Sequence, residues 1–263
     1  MDVKANGATL YTEQHGEGAP VVFVHGMCGD ARVWAGQVER LQDRLRCTTY
    51  DRRGHTRSPK TDLDESVELH ADDLAALVTE LDLAPVLVVG SSGGARISLD
   101  FIRRYPHLVR GAVLSEPPVG ALAPEAFAGF IGDVAPAVQA AAQSGGPRAA
   151  VDAFFEKACP GLWADIDDGV KDRYRDNADT LFKDLGMPPY VITDDDIAAI
   201  DVPVVVVAGT ASHPALRTAA NNLARLLPDA RLVELECGHV TYAEQPDDFA
   251  HAVRAFAAEL EQV

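Results

Sequence analysis

The sequence predicts an α/β protein: a mostly parallel, doubly wound sheet built from residues 1–116 and 197–263, interrupted by a helical cap of residues 117–196. Short valine-rich runs alternate with stretches of helical spacing through both outer segments, which is how strand–helix–strand units read along a chain. The runs "PVVFV", "PVLVV" and "VPVVVVA" lack any polar alternation, as strands covered on both faces do. Within 117–196 the alternation stops, and helical stretches follow one another with glycine and proline between them.

Residues 8–14 and 20–24 are expected as strands, the second stopped by His25-Gly26. "ARVWAGQVERLQDRL" has helical spacing through Trp34, Val38, Leu41 and Leu45, and "RCTTYD" follows as a strand. "SVELHADDLAALVTELDL" is amphipathic, with Val67, Leu69, Leu74, Leu77, Val78 and Leu81 on one side. "PVLVVG" is the next strand, a helix from Gly94 to about Tyr105 follows, and "GAVLSE" is the strand after it. The cap reads as "PEAFAGFIGDVAPAVQAAAQ", "PRAAVDAFFEKA" and "DGVKDRYRDNADTLFKDL". Beyond it come the strand "VPVVVVAGT", the helix "ALRTAANNLARLL", the strand "ARLVELE", the loop "CGHVTYAEQP" and a last helix reaching Leu260. Open α/β sheets bind ligands beyond the carboxyl ends of their strands, so a cap inserted there roofs the pocket.

A chain of 263 residues, 47% of them hydrophobic, can bury a sizeable core. A net charge of −17 repels phosphate backbones and argues against a nucleic-acid partner. The N-terminus lacks the basic start and apolar core of a signal peptide, and no apolar run approaches the roughly 18 residues of a membrane span. A cytoplasmic location with no membrane partner is the expectation. Cys28, Cys47, Cys159 and Cys237 form no CxxC pair, so free thiols are expected rather than a zinc site or a disulfide framework.

Gly90-Ser91-Ser92-Gly93-Gly94 fits G-x-S-x-G at a strand-to-helix junction. A tight turn that lifts one side chain above the sheet needs small residues two before and two after it. Ser92 has Gly90 and Gly94 there, whereas Ser91 would have Val89, so Ser92 is the candidate nucleophile. The "HGMCGD" turn can present the Met27 N–H to a developing oxyanion, with the Gly93 N–H as second donor. Of eight histidines, His239 follows the last strand beside Gly238 and is the candidate base. His15, His70, His107 and His251 are expected to be solvated, and His25 and His55 to be structural.

Strand-His-Gly, "YDRRGHTRS", G-x-S-x-G, a helical cap and a late Gly-His, in that order, resemble the α/β-hydrolase superfamily along essentially the whole chain; Thr56 stands where relatives often carry glycine. The resemblance implies a serine hydrolase without metal or cofactor. In many members the acid of the triad follows the strand after the cap, in a G-x-x-D turn, but here that turn reads Gly209-Thr210-Ala211-Ser212. Ser212 is neutral and cannot stabilise an imidazolium. Other branches place the acid after the strand that follows the nucleophile helix, among them many haloalkane dehalogenases, coelenterazine luciferases and zearalenone lactonases. "VLSEPPV" offers Glu116 there, and the lactonases combine such a glutamate with serine and histidine. Asp201 precedes its strand, and Asp194-Asp195-Asp196 reads as a helix start; both are weaker candidates.

Trp163, in a Pro-Gly loop, and Tyr242 are expected to line the pocket. The function implied is hydrolysis of a carboxylic ester or lactone with an apolar or aromatic moiety, a small-molecule substrate. The vacant aspartate position leaves a low-turnover receptor open, and the scaffold leaves open a cofactor-free C–C hydrolase or oxygenase.

Overall fold

The computed structural model describes residues 1–60 and 65–262. Among them eight strands form one sheet: β1 (Asp2–Ala5), β2 (Ala8–His15), β3 (Ala19–Val24), β4 (Leu45–Tyr50), β5 (Val86–Ser91), β6 (Val109–Ser115), β7 (Val204–Gly209) and β8 (Ala230–Leu235). Their order is β1-β2-β4-β3-β5-β6-β7-β8. β1 and β2 run antiparallel to their neighbours, and β4, β3, β5, β6, β7 and β8 are mutually parallel. The helices are α1 (Ala35–Leu41), α2 (Val67–Glu80), α3 (Gly93–Arg104), α4 (Pro124–Ala158, broken at Gly146), α5 (Pro160–Asp165), α6 (Asp168–Arg175), α7 (Ala178–Gly186), α8 (Asp194–Ala198), α9 (Pro214–Leu226), α10 (Thr241–Glu244) and α11 (Pro246–Leu260). The mostly parallel, doubly wound sheet expected from the sequence is present. None of the described helices is long and apolar enough to cross a membrane.

Strand periodicity divides the core into two layers. From β3, Val22 and Val24 join Leu74 and Leu77 of α2, Phe101 of α3 and Leu223 of α9, while Val21 and Phe23 point the other way, to Trp34, Leu41 of α1 and Phe249 of α11. β5 and β7 are buried at every position, which is why their sequences carry no polar alternation. The helical spacing that ran on to Leu45 ends at Leu41 instead. Leu45 sits one turn past Leu41 and prolongs the apolar stripe, yet it opens β4 opposite Ala19 of β3, so periodicity alone misplaces that boundary. β1 was absent from the expected elements, because four residues are too few to show a period.

The connections set the site. From β3 the chain passes to β4 on one side and then crosses back to β5 on the other. The reversal lies between β3 and β5, where α/β sheets open a crevice at their carboxyl ends. Those two ends carry His25-Gly26-Met27 and Ser91-Ser92. Between β6 and β7 the described residues form a short 3-10 turn at Gly120–Leu122 and then the run α4 to α8, with no strand among them.

Candidate active site

Ser92 joins β5 to α3 with φ 54°, ψ −124°, a conformation that costs a residue with a Cβ of order 1–3 kcal/mol. Its neighbours allow it. A Cβ on Gly90 would lie 2.6 Å from Ser98 Oγ and 2.7 Å from the Ala95 Cα, and one on Gly94 would lie 2.1 Å from the Val24 carbonyl oxygen. The steric rule that selected Ser92 over Ser91 is thus visible as backbone contact. Gly94→Ala is expected to destabilise the protein by about 2–3 kcal/mol or more, because the obstacle is backbone that cannot swing aside. Denaturant unfolding checks this, and a shift below about 0.5 kcal/mol contradicts it.

β6 lies beside β5 with Ser115 opposite Ser91, so the next residue, Glu116, emerges next to the elbow. Glu116 has φ 44° and is wholly buried. Its carboxylate accepts three hydrogen bonds: from the Gly209 N–H to Oε1 at 2.8 Å, from Ser212 Oγ to Oε2 at 2.6 Å, and from His239 Nδ1 to Oε2 at 2.6 Å. A carboxylate only accepts, so this contact places the imidazole proton on Nδ1 and leaves Nε2 as the acceptor. The histidine loop is pressed against β7: a Cβ on Gly209 would lie 2.0 Å from the Gly238 carbonyl oxygen. Glu244 of α10 ties the same loop by accepting from the N–H groups of Gly238 at 2.8 Å and Val240 at 3.0 Å. Ser212, at the position where an aspartate was expected, therefore donates to the glutamate. Among the described residues Ser92 Oγ makes no hydrogen bond, while Ser92 and His239 line the same cavities; such contacts commonly tighten only around substrate.

The Met27 and Gly93 amides come together here. A Cβ on Gly93 would lie 3.7 Å from the Met27 nitrogen. Gly93 opens α3, so its N–H has no carbonyl one turn back. The turn before Met27 is held by His25, whose Nε2 accepts from the Arg52 N–H at 2.9 Å while Nδ1 meets the Gly26 carbonyl at 2.9 Å. Asn177, just before α7, donates to the carbonyls of Cys28 and Gly29 and receives the Thr56 N–H. Thr56 has φ 42°, a left-handed value at which glycine is at ease. Burial, reinforced by Arg52, lowers His25 to about 4, and the same two causes hold His55 well below its ordinary value. Both therefore stay neutral in the fold while the unfolded chain binds protons below about pH 6.5. Stability is expected to fall as pH drops from 6.5 towards 5, by up to about 1.4 kcal/mol per pH unit for each histidine. Thermal unfolding between pH 7.5 and 5 checks this; a constant Tm contradicts it.

Ser92 opens on a cavity of about 900 Å³. Phe127, Phe130 and Phe154 line it together with Ile97, and three of its residues, Ile131, Leu185 and Val191, are large hydrophobics exposed at the surface. It is also lined by the charged Arg52, Arg96 and Asp184, which sequence reasoning did not single out. Tyr242 lines a smaller adjoining space of about 40 Å³ with Ser92 and His239. Trp163 requires a correction. It lies in α5 rather than a loop, stacks on Phe155 at 4.6 Å and donates from its indole N–H to Asp152 at 3.2 Å, so it lines neither space containing Ser92. Its aromatic surface is used up in packing α4 against α5 and α6. His70 also departs from expectation: it is buried and bonded to Glu65 at 3.1 Å. Glu65, His70 and Asp184 bring ligand atoms within 4.8 Å of one another, but Arg52 Nη1 already stands 3.3 Å from His70 Nε2 and 3.4 Å from Asp184 Oδ1. The protein's own cation is thus already bound to two of the three residues.

Comparison with known proteins follows the same lines. A model of the alpha/beta hydrolase family matches residues 21–252. An uncharacterized hydrolase of Bacillus subtilis is 37% identical over 113 residues, 42% of this chain and 42% of that protein. The matched stretches span about two fifths of the curated relatives. A thermophilic esterase from Thermogutta terrifontis superposes with TM-score 0.80 at 24% identity, covering 99% of both chains. An enol-lactonase from Burkholderia xenovorans LB400 superposes with TM-score 0.83 at 21% identity, covering 98% of this chain and 100% of its own. Identities this low speak for the fold.

Proposed function

Since the chain belongs to the alpha/beta hydrolase family, we propose that it is a serine hydrolase of carboxylic esters or lactones, with Ser92 as nucleophile, His239 as base and Glu116 as the acid of the triad. The observation that carries this reading is the 2.6 Å contact between His239 Nδ1 and a buried Glu116 that Gly209 and Ser212 also hold. Ser92 Oγ attacks the substrate carbonyl and its proton passes to His239 Nε2. The Met27 and Gly93 amides receive the oxyanion. The C–O bond to the leaving group then breaks as His239 returns the proton to the departing oxygen. Water repeats the sequence on the acyl-enzyme, freeing the acid and restoring Ser92. Glu116 keeps the proton on Nδ1 and stabilises the imidazolium that forms. The helices between β6 and β7 act as the cap, contributing Phe127, Phe130 and Phe154 to an apolar pocket for the acyl or lactone moiety.

Ser212 was the feature that favoured a low-turnover receptor. Its hydroxyl donates to Glu116, which supports a glutamate in the acid's place and favours turnover over a receptor. Rapid mixing with 4-nitrophenyl hexanoate tests the proposal. A burst of one 4-nitrophenol per chain, followed by slower turnover, is expected for an acyl-enzyme. Absence of both burst and turnover, with this ester and with a panel of lactones, would sink it.

A further inference from the structure

The large cavity is mostly apolar; besides Ser92 and His239 it is lined by the charged Arg52, Arg96 and Asp184, and those charges do not cancel. Arg52 is paired with Asp184 at 2.8 Å, and both are buried. Glu65 is paired with Lys183 at 3.3 Å and bonded to His70. Asp100 is taken by Arg103 and Arg104 and accepts the Tyr190 hydroxyl. Arg96 is left over. Among the described residues its side chain makes no hydrogen bond and no ion pair; its Nε is buried without a partner, as is that of Arg52, but Arg52 is held through both Nη atoms and Arg96 through none. The contrast with Arg52 is sharp in electrostatic terms. Burial pulls both guanidiniums down, but Asp184 overcomes that for Arg52 and raises it, whereas burial together with repulsion from Arg52 keeps Arg96 below its ordinary value against the fields of Asp184, Tyr190 and Glu68.

An arginine is a costly filler for an apolar wall, because its five donors raise the free energy wherever they are buried unmet. The guanidinium fork matches a carboxylate, which can accept two parallel bonds from it. Position adds a constraint. Arg96 lies on α3 one turn beyond the nucleophile, its N–H donating to the Ser92 carbonyl at 3.1 Å, and both residues line the same cavity. A group bound at Arg96 therefore sits along the wall of the pocket, a short chain length from a carbonyl held at Ser92.

We propose that the substrate carries a carboxylate on its acyl portion and that Arg96 receives it, so that the preferred substrates are half-esters of dicarboxylic acids or carboxylate-bearing lactones. This rests on the hydrolase reading for its chemistry but not for its binding. The apolar walls hold the chain between the two functional groups, and Arg96 selects for the anion at its end.

The test compares mono(4-nitrophenyl) esters of glutarate, adipate and pimelate with 4-nitrophenyl pentanoate, hexanoate and heptanoate, in which a methyl group replaces the carboxylate. For at least one chain length the half-ester is expected to exceed its neutral counterpart in kcat/KM by about 10–100-fold, the range of a hydrogen-bonded charge. That ratio should fall below one in Arg96→Met and take an intermediate value in Arg96→Lys. A wild-type preference for the neutral ester at every length, or a ratio that survives in Arg96→Met, overturns the proposal. Calorimetric titration of Ser92→Ala with monomethyl adipate separates binding from chemistry. If the wild type cleaves neither series, the hydrolase reading fails; tight binding that the added Arg96→Met weakens tenfold or more still supports the anion site, and binding that is absent or insensitive to Arg96 overturns it.

Discussion

Glu116→Gln is expected to lower kcat/KM by about 10⁴-fold, the effect of the corresponding acid-to-amide exchange in a serine protease. The reason lies in hydrogen-bond direction. Glu116 Oε2 accepts from both Ser212 Oγ and His239 Nδ1, each at 2.6 Å. A glutamine keeps one accepting oxygen and puts an NH2 donor in place of the other. If its NH2 group faces His239, the ring must accept at Nδ1 and carry its proton on Nε2, where it can no longer take the serine proton. If its carbonyl faces His239, the tautomer survives but the imidazolium loses its countercharge. Ser212→Ala removes one of three donors from the carboxylate and leaves the tautomer intact, so its cost is expected to be about tenfold or less. Steady-state kinetics on the two variants checks the assignment. Ser212→Ala falling as far as Glu116→Gln contradicts it.

Ser92→Ala is expected to lower kcat by about 10⁶-fold, as loss of the nucleophile does in subtilisin. Alanine retains the Cβ and so adds no strain at φ 54°, and the Met27 and Gly93 amides remain in place. Residual turnover then reports those amides and substrate positioning alone. Chain-resolved activity, with contaminating wild type excluded by burst titration, checks the value. A loss smaller than about 10³-fold contradicts a covalent role for Ser92.

Much of the molecule was legible in the sequence because its signals are local. The valine runs of β3, β5 and β7 lie between helices on both faces, so their composition alone gives the class. The elbow could be read because its constraint, absence of side chains at Gly90 and Gly94, is written at fixed offsets from Ser92. Glu116 was within reach because β5 and β6 are sequential neighbours in the sheet. What escaped depends on contacts between distant segments. His70 looks like a solvated helix position until Glu65 and Arg52 close around it, 5 residues and 18 residues away. Arg52 meets Asp184 across 132 residues, and no periodicity records such a pair. Trp163 was expected in the pocket for being aromatic in an apparent loop, but the partners Phe155 and Asp152 bind it elsewhere. Arg96 could have drawn notice: a cation on a helix that faces the sheet and opens at Ser92 has few places to go.

The central claim is that Ser92 is activated by a histidine that Glu116 holds. Intact-mass labelling with a small fluorophosphonate, followed by peptide mapping, tests it most directly. The account predicts one adduct per native chain on Ser92, lost in Ser92→Ala, greatly slowed in Glu116→Gln and absent after heat denaturation. An unlabelled native chain, an adduct on another residue, or equal labelling rates in the wild type and Glu116→Gln would contradict it.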